Sequence, residues 1–187
     1  MMPNYRRNYQ PGGTYFFTVV THKRRRIFID DATTELFRHA IRAVRHLRPF
    51  TIDAAVILPD HIHMVWTLPD RDAAFDKRWS AIKSRFTRDF LASHDFDTTY
   101  ATVVTSKRNR SIWQPRYMEH TIRDEQDFNQ HIDYIHFNPV KHGLAARPVD
   151  WPWSSLHRYI RAGVLCRDWG CGERLPQLSG VNERLLE

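Results

Sequence analysis

The sequence predicts an α+β domain of the ferredoxin-like, RRM-like class, with an antiparallel sheet and helices packed on one of its faces. The first observation is the order of the predicted elements: strand, helix, strand, strand, helix, strand, helix. This order is the split βαβ pattern of such domains. The second is that 42% of the 187 residues are hydrophobic, which is enough for one core. We therefore predict one domain over residues 1–160 and a C-terminal tail over residues 161–187, with another small α+β sandwich as the alternative fold.

The first half of the chain supplies three of the predicted strands and one helix. Residues 14–21 are aromatic and β-branched, which indicates a strand. The pair Gly12-Gly13 before it allows a turn or a close approach of the backbone. Apolar residues at helical spacing over 32–47 follow aspartates that can cap a helix. Residues 51–58 and 62–68 indicate two strands joined by a tight turn.

The second half supplies two longer helices and the last strand. Helical spacing of large apolar residues predicts a helix over 72–91. Residues 93–111 are polar and basic, and we interpret them as a long insertion. Residues 112–122 indicate a strand or an extended segment. A helix is then predicted from residue 124 to 138, with Pro139 as its stop.

The overall charge points to a polyanionic partner. The formal net charge is +7, and an excess of this kind attracts nucleic acid through long-range forces and counterion release. A basic protein with a solvated charged face is the alternative. No run of eighteen apolar residues occurs and the first residues lack an apolar signal segment, so we expect neither a membrane span nor secretion. Cys166 and Cys171 are expected to be free thiols in a reducing cytoplasm.

The basic residues form short clusters close to aromatic residues. Such a combination suits single-stranded nucleic acid, because cations contact phosphates and aromatic faces stack on unpaired bases. The clusters that we select as candidate DNA contacts are Arg6 and Arg7, the run Lys23, Arg24, Arg25 and Arg26, and Lys83, with Tyr5 beside the first of them.

A His–apolar–His triplet lies in the third predicted strand. Alternate residues of a strand point to the same side, so His61 and His63 project together while Ile62 points away. Two imidazoles so placed can bind one divalent ion and leave positions open for phosphate oxygens. The pattern alone is weak, because the chain has eleven histidines. A pair of surface or half-buried strand histidines is the alternative.

The last predicted helix carries a tyrosine and an amide on the same face. Asp127, His131, Tyr134 and Asn138 recur at helical spacing. A phenol can attack a phosphate once a base or a metal favours its anion, and the Asn138 carbonyl can be a third, neutral metal ligand. From spacing alone, an amphipathic helix with Tyr134 at the edge of the core is the favoured interpretation.

The chain resembles the REP-associated tyrosine transposases, relatives of the single-tyrosine HUH transposases of small insertion sequences. The resemblance covers nearly the whole chain in order. The matching segments are Tyr5-Arg6-Arg7, GGTYFFTV (12–19), LPDHIHMVWTLP (58–69), IWQPRYMEHTIRDE (112–125), HIDYIHFNPVKHG (131–143) and DWPWSS (150–155).

The resemblance implies the roles of the site residues. His61 and His63 would be metal ligands, and Tyr134 the nucleophile, with Tyr117 excluded from that role. Asn138 would be the third ligand, in the place where the insertion-sequence enzymes have Gln. The metal would be Mg²⁺ or Mn²⁺, both of which suit phosphate oxygens.

The resemblance also implies the substrate. Members of the family act on repetitive extragenic palindromic (REP) hairpins flanked by a single-stranded tetranucleotide, which they cut through a 5′-phosphotyrosine link. The segment from Tyr5 to Gly13, including Gly12, would read the tetranucleotide. We expect a monomer or weak dimer, associated with the nucleoid in the bacterial cytoplasm.

Three other interpretations compete with this one. A non-catalytic module that binds single-stranded nucleic acid would need exposed aromatic residues on the sheet. A histidine-triad hydrolase would need a third alternating histidine, but Val65 stands there. A zinc site built from Cys166, Cys171 and His157 would have atypical spacing.

Overall fold

The computed structural model describes residues 7–93 and 112–172 of the chain. Predictions for Tyr5, for Arg6, for the insertion beyond residue 93 and for residues 173–187 therefore lie outside the described residues. None of the helices in the described part is long and apolar enough to cross a membrane. The regular elements are β1 (Thr14–Val20), α1 (Asp31–Leu47), β2 (Thr51–Ile57), β3 (His61–Thr67), α2 (Phe75–Ser93), β4 (Met118–Thr121), α3 (Glu125–Lys141) and α4 (Leu156–Arg161).

The four strands form one antiparallel sheet in the order β2-β3-β1-β4. This order confirms the predicted α+β class with its split βαβ arrangement. Strands β1 and β3 lie at the centre, so the His–apolar–His triplet is on a central strand. β4 is an edge strand of only four residues, a small part of the predicted extended segment.

Helices cover both faces of the sheet, where the sequence predicted helices on one face. Alternation along β1 and β3 sends Phe17 and Ile62 into one core with α1 and α2. The same alternation sends Phe16 and Val65 into a second core with α3. The physical reason is that every residue of β3 from His61 to Trp66 is buried, so both sides of this strand need a cover.

Local side-chain caps begin α1 and α3. The sequence predicted an aspartate cap for α1, and for α3 it predicted only that the helix begins at residue 124. The Asp30 carboxylate accepts from the backbone N–H of Thr33 at 2.7 Å. The Asp124 carboxylate accepts from the N–H of Asp127 at 2.8 Å. In both cases the cap satisfies a donor that the first turn of a helix leaves without a partner.

The predicted stop of α3 at Pro139 is wrong, because the helix continues to Lys141 with the proline inside it. A proline removes one backbone donor, and near the end of a helix this costs a single hydrogen bond. The turn after it closes normally, since the N–H of His142 donates to the carbonyl of Asn138 at 3.0 Å. The extra turn brings Lys141 onto the face that carries Tyr134.

Candidate active site

The two histidines of β3 point to the face that α3 covers. Their ring centroids are 4.9 Å apart, while Ile62 packs in the core on the other face. His61 and His63 are both buried, so neither is a surface histidine. The alternation of the strand thus produces one inward-facing pair of imidazoles.

A carboxylate orients the first histidine. The Asp60 Oδ1 atom lies 2.6 Å from His61 Nδ1, and Arg24 donates to the other oxygen of Asp60 at 3.2 Å. Burial acts to raise the pKa of Asp60, but the hydrogen bonds from His61 and Arg24 leave it below its usual value. The Asp60 carboxylate therefore holds His61 through Nδ1 and leaves Nε2 for another partner.

The second histidine is buried completely and has one nitrogen without a partner. The Thr18 hydroxyl lies 2.9 Å from His63 Nδ1, and Nε2 has no hydrogen-bond partner among the described residues. Burial, together with the nearby charges of His61 and His142, holds the pKa of His63 well below its usual value. The ring is therefore neutral, which is the form of histidine that binds metals.

The side chain of Asn138 also has polar atoms without a partner among the described residues. Asn138 is buried, and neither its Oδ1 nor its Nδ2 has a hydrogen-bond partner among the described residues. A buried polar group without a partner costs about 1–3 kcal/mol. A divalent cation would satisfy both Asn138 Oδ1 and His63 Nε2, so these residues fit a metal chemically.

Tyr134 lies against the histidine pair. Its ring centroid is 5.2 Å from that of His63, and Phe16 contacts the Tyr134 ring edge-on at 5.9 Å. The phenol is nearly inaccessible to solvent, with 1% of the residue exposed. The structure therefore brings Tyr134, His61 and His63 into one site, as we expected.

A lysine and a histidine at this site escaped the sequence analysis. The Lys141 ammonium lies 5.1 Å from the Tyr134 ring centroid. The His142 ring lies 5.0 Å from that of His61. Both residues follow Pro139, where the predicted helix ended. A continuous helical count from Tyr134 would have placed Lys141, seven residues later, on the same face.

A separate cluster joins β4 to the first turns of α3. His120 Nε2 donates to Asp127 Oδ2 at 2.8 Å, and His131 Nδ1 lies 3.2 Å from Asp127 Oδ1. Burial acts to raise the pKa of Asp127, but hydrogen bonds from His120 and Arg123 lower it to about 2. The sequence placed Asp127 and His131 on the face of Tyr134, but it gave no indication that His120 joins them.

The predicted DNA contacts lie in three different environments. Gly12 has a φ of +67°, and a Cβ on Gly13 would lie 2.8 Å from the carbonyl oxygen of Gln10, so the pair makes a tight turn. Arg7 donates to the Tyr117 hydroxyl and pairs with Glu119. The basic run includes a 3-10 turn (His22–Arg24), from which Lys23 is exposed; Arg25 is half-buried and Arg26 is exposed.

Lys83 is largely buried, where the sequence suggested a phosphate contact. Its ammonium donates to the carbonyl of Gln114 at 3.2 Å and lies 5.2 Å from the Tyr117 ring centroid. Burial, assisted by the nearby charge of Arg7, lowers the pKa of Lys83 to about 8.

We expect Lys83→Met to raise the free energy of unfolding at pH 7 by about 1–3 kcal/mol. The folded state holds the Lys83 proton less tightly than the unfolded state, whose lysine pKa is 10.5. In the wild type, stability therefore rises as the pH increases from 8 toward 10.5, and the variant should lose this rise. Urea unfolding across this range is the measurement, with the exposed Lys77→Met on the same helix as control. A less stable variant at pH 7 would show that the bond to Gln114 outweighs the cost of burial.

Two competing interpretations find no support in the described residues. The sheet aromatics Tyr15, Phe16 and Phe17 are fully buried under helices, so they offer no open surface to bases. In the described part of the chain, the zinc alternative also fails. His157 Nε2 lies 2.9 Å from the carbonyl of Trp151, and the one group of three histidine, cysteine or acidic residues close enough to hold a metal includes neither cysteine.

Comparisons with known proteins agree with this geometry. Residues 11–138 match the family described as "Transposase IS200 like". The chain is 42% identical over 168 residues to the "REP-associated tyrosine transposase" of Escherichia coli (strain K12), covering 90% of this chain and 91% of that protein. It also resembles the solved "Structure of the REP associates tyrosine transposase bound to a REP hairpin", with a TM-score of 0.77 and 39% identity, covering 95% of this chain and 96% of that chain.

Proposed function

This chain belongs to the IS200-like transposase family, among its REP-associated tyrosine transposases, and from this premise we propose that it cuts and rejoins single-stranded DNA beside REP-type hairpins through a covalent link to Tyr134. The observation that carries the proposal is the buried Nε2 of His63, which has no partner among the described residues and belongs to a ring that lies against Tyr134. The buried side chain of Asn138, one helical turn after Tyr134, also has no partner among the described residues. The hairpin is assigned because the similar solved structure is described as bound to a REP hairpin.

In the proposed reaction Tyr134 is the nucleophile. Its phenol oxygen forms a bond to the scissile phosphorus, and the bond from phosphorus to the 3′ oxygen breaks. The products are a 5′-phosphotyrosine link and a free 3′-hydroxyl, and the proton lost by the phenol balances the one gained by the 3′ oxygen. The phosphodiester energy is kept, so another 3′-hydroxyl can attack the link and join two strands.

The metal ligands would be His61, His63 and Asn138. A Mg²⁺ or Mn²⁺ ion held there would polarise the phosphate and stabilise charge on its oxygens. Asp60 orients His61, and Thr18 orients His63, so the two imidazoles keep their positions while substrate enters.

Lys141 and His142 would assist from the end of α3. The Lys141 ammonium beside the Tyr134 ring would favour the phenolate. It would also stabilise the negative charge that develops on the phosphate oxygens as phosphorus is attacked. The charge of Lys141 also attracts the DNA backbone toward the site. The Tyr5–Gly13 segment is proposed to read the flanking tetranucleotide. Arg7 is the basic residue of this segment that the structure describes.

The decisive experiment incubates the protein with end-labelled REP-type hairpins that carry their single-stranded flanks, in the presence of Mn²⁺. A denaturing gel should show a shortened strand and a covalent protein–DNA adduct. The control is the fully paired duplex of the same sequence, which should form no adduct because a stacked duplex shields the phosphate. Binding without any adduct would favour the alternative of a non-catalytic single-stranded DNA-binding module.

Affinity for the hairpin should fall steeply with salt. The chain carries 28 lysine and arginine residues, and each phosphate that they neutralise releases counterions. Between 50 and 200 mM salt we expect a loss of roughly 10²–10⁴-fold.

Arg7→Ala should reduce the preference for the correct flank over a scrambled one more than it reduces binding at low salt. Competition binding at two salt concentrations is the measurement. An unchanged preference would place the reader of the flank elsewhere, with the basic run from Lys23 to Arg26 as the next candidate.

A further inference from the structure

The cluster of His120, Asp127 and His131 brings three metal-ligating side chains together away from the site described above. One ligand atom from each of the three residues lies within 4.8 Å of the other two. Asp127 and His131 are buried, whereas the His120 side chain is 35% exposed. The group therefore has two fixed members and one that solvent and ions can reach.

Hydrogen bonds hold His131 in a form that can bind a metal. Its Nδ1 donates to the backbone carbonyl of Asp127 at 2.8 Å. Histidines that bind metals usually donate one ring N–H to a carbonyl or a carboxylate, which leaves the other nitrogen for the ion. His131 Nε2 keeps a lone pair, and Nδ1, which lies 3.2 Å from Asp127 Oδ1, becomes a ligand atom if it gives up the bond to this carbonyl.

Two donors of Arg123 hold the carboxylate of Asp127 in place, and an ion could replace the one on the side chain. The backbone N–H of Arg123 donates to Oδ2 at 3.0 Å and its side chain at 3.1 Å. The side chain of Arg123 is 68% exposed, so releasing it into water costs little. The backbone bond can remain and would orient the carboxylate from behind the ion.

The cluster is separated from the histidines of β3 by an aromatic ring. Phe16 lies between the two groups, with its centroid 4.7 Å from that of His131 and 5.5 Å from that of His63. His120 on β4 lies opposite Phe16 on the neighbouring strand β1. One ion could not be shared by ligands on both sides of this ring.

We propose that His120, Asp127 and His131 form a second divalent metal site, which takes a nitrogen-preferring transition ion such as Zn²⁺ and ties the edge strand β4 to the helix that carries Tyr134. Two imidazoles and one carboxylate, with a fourth position open to water, are a common ligand set for zinc. Zinc bonds to nitrogen and oxygen are about 2.0–2.2 Å long, so the ligand atoms must approach to roughly 3–3.5 Å of one another. His120, the exposed member, can make that movement.

The role of this ion would be to cross-link β4 and α3. Among the described residues, β4 pairs with the sheet only through β1, over four residues. A bond network through the ion would add a link between this short edge strand and α3. Since His131 is one helical turn before Tyr134, the link would also hold the nucleophile helix at its N-terminal half.

Zinc titration calorimetry after removal of bound metal tests the proposal. The double variant His61→Ala/His63→Ala removes the first site and should still bind about one equivalent of Zn²⁺. Adding His120→Asn should weaken this binding by about 100-fold or more. Adding His46→Asn instead, which removes an exposed histidine of α1, should have no effect. Zinc should also raise the thermal midpoint of the double variant, and His120→Asn should cancel this rise.

Two results would overturn the second site. One is a double variant that binds no zinc, and the other is equal zinc affinity with and without His120. If the double variant does not fold, the stoichiometry of the wild-type chain decides the question, because His120→Asn should lower it from about two equivalents to about one. Loss of this site would leave the proposed function intact, since adduct formation with Mn²⁺ depends on His61, His63 and Tyr134.

Discussion

Tyr134→Phe is expected to reduce strand cleavage and adduct formation on the order of 10⁴-fold or more, down to background. The variant lacks only the phenol oxygen, which is the attacking atom in the proposed reaction. Its ring would keep the contacts with His63 and Phe16, so the fold and the affinity for hairpin DNA should remain close to those of the wild type. Single-turnover cleavage with labelled hairpins gives the rate, and filter binding gives the affinity.

Tyr117→Phe is the matched control for this experiment. Tyr117 packs against the core on the opposite face of the sheet, and its hydroxyl accepts from Arg7. Burial, more than any other factor, raises the pKa of Tyr117, which disfavours the phenolate. The Tyr117→Phe variant should therefore still cleave the labelled hairpin. An adduct formed by Tyr134→Phe but not by Tyr117→Phe would mean that Tyr117 is the nucleophile.

His61→Ala and His63→Ala should each lower metal-dependent cleavage on the order of 10³-fold. Each change removes one of two imidazoles from the proposed metal site, whose third proposed ligand is a neutral amide. Asn138→Ala should weaken metal affinity by a smaller factor, because an amide oxygen is a weaker ligand than an imidazole. Calorimetric titration with Mn²⁺ and single-turnover cleavage at saturating Mn²⁺ are the measurements.

The control for these variants is His39→Ala, which removes an exposed histidine of α1 on the other side of the sheet. Circular dichroism should first show that the buried-site variants fold, because His63→Ala leaves space in the core. Unchanged Mn²⁺ affinity in both His61→Ala and His63→Ala would contradict the metal site. In that case the unpaired atoms of His63 and Asn138 would need another explanation.

Local rules accounted for much of the fold. The period of two along β3 indicated that His61 and His63 share a face, and the structure has this arrangement. The cap at Asp30 depends on a bond to the residue three positions later, so the sequence was sufficient to predict it. Asp124 caps α3 in the same way, but the sequence analysis placed only the start of the helix there. The resemblance then predicted the family, which the comparisons confirmed.

The errors came from places where distant parts of the chain meet. Pro139 is a reliable stop in an isolated helix, but α3 packs on the sheet and continues past it, because tertiary contacts offset one lost hydrogen bond. Lys83 remains a predicted phosphate contact, but its ammonium donates to the carbonyl of Gln114 in the segment before β4. Neither effect can be seen in a local pattern.

Chain geometry within a few residues was enough to predict the element types, the shared face of His61 and His63, and the spacing of Tyr134 and Asn138. The packing of distant segments established that α3 covers the histidine face of the sheet, that Lys141 and His142 join the site, and that His120 meets Asp127 and His131. The physical reason is that burial of apolar surface fixes which faces meet. Contacts between residues far apart in the chain follow from that packing and not from their spacing.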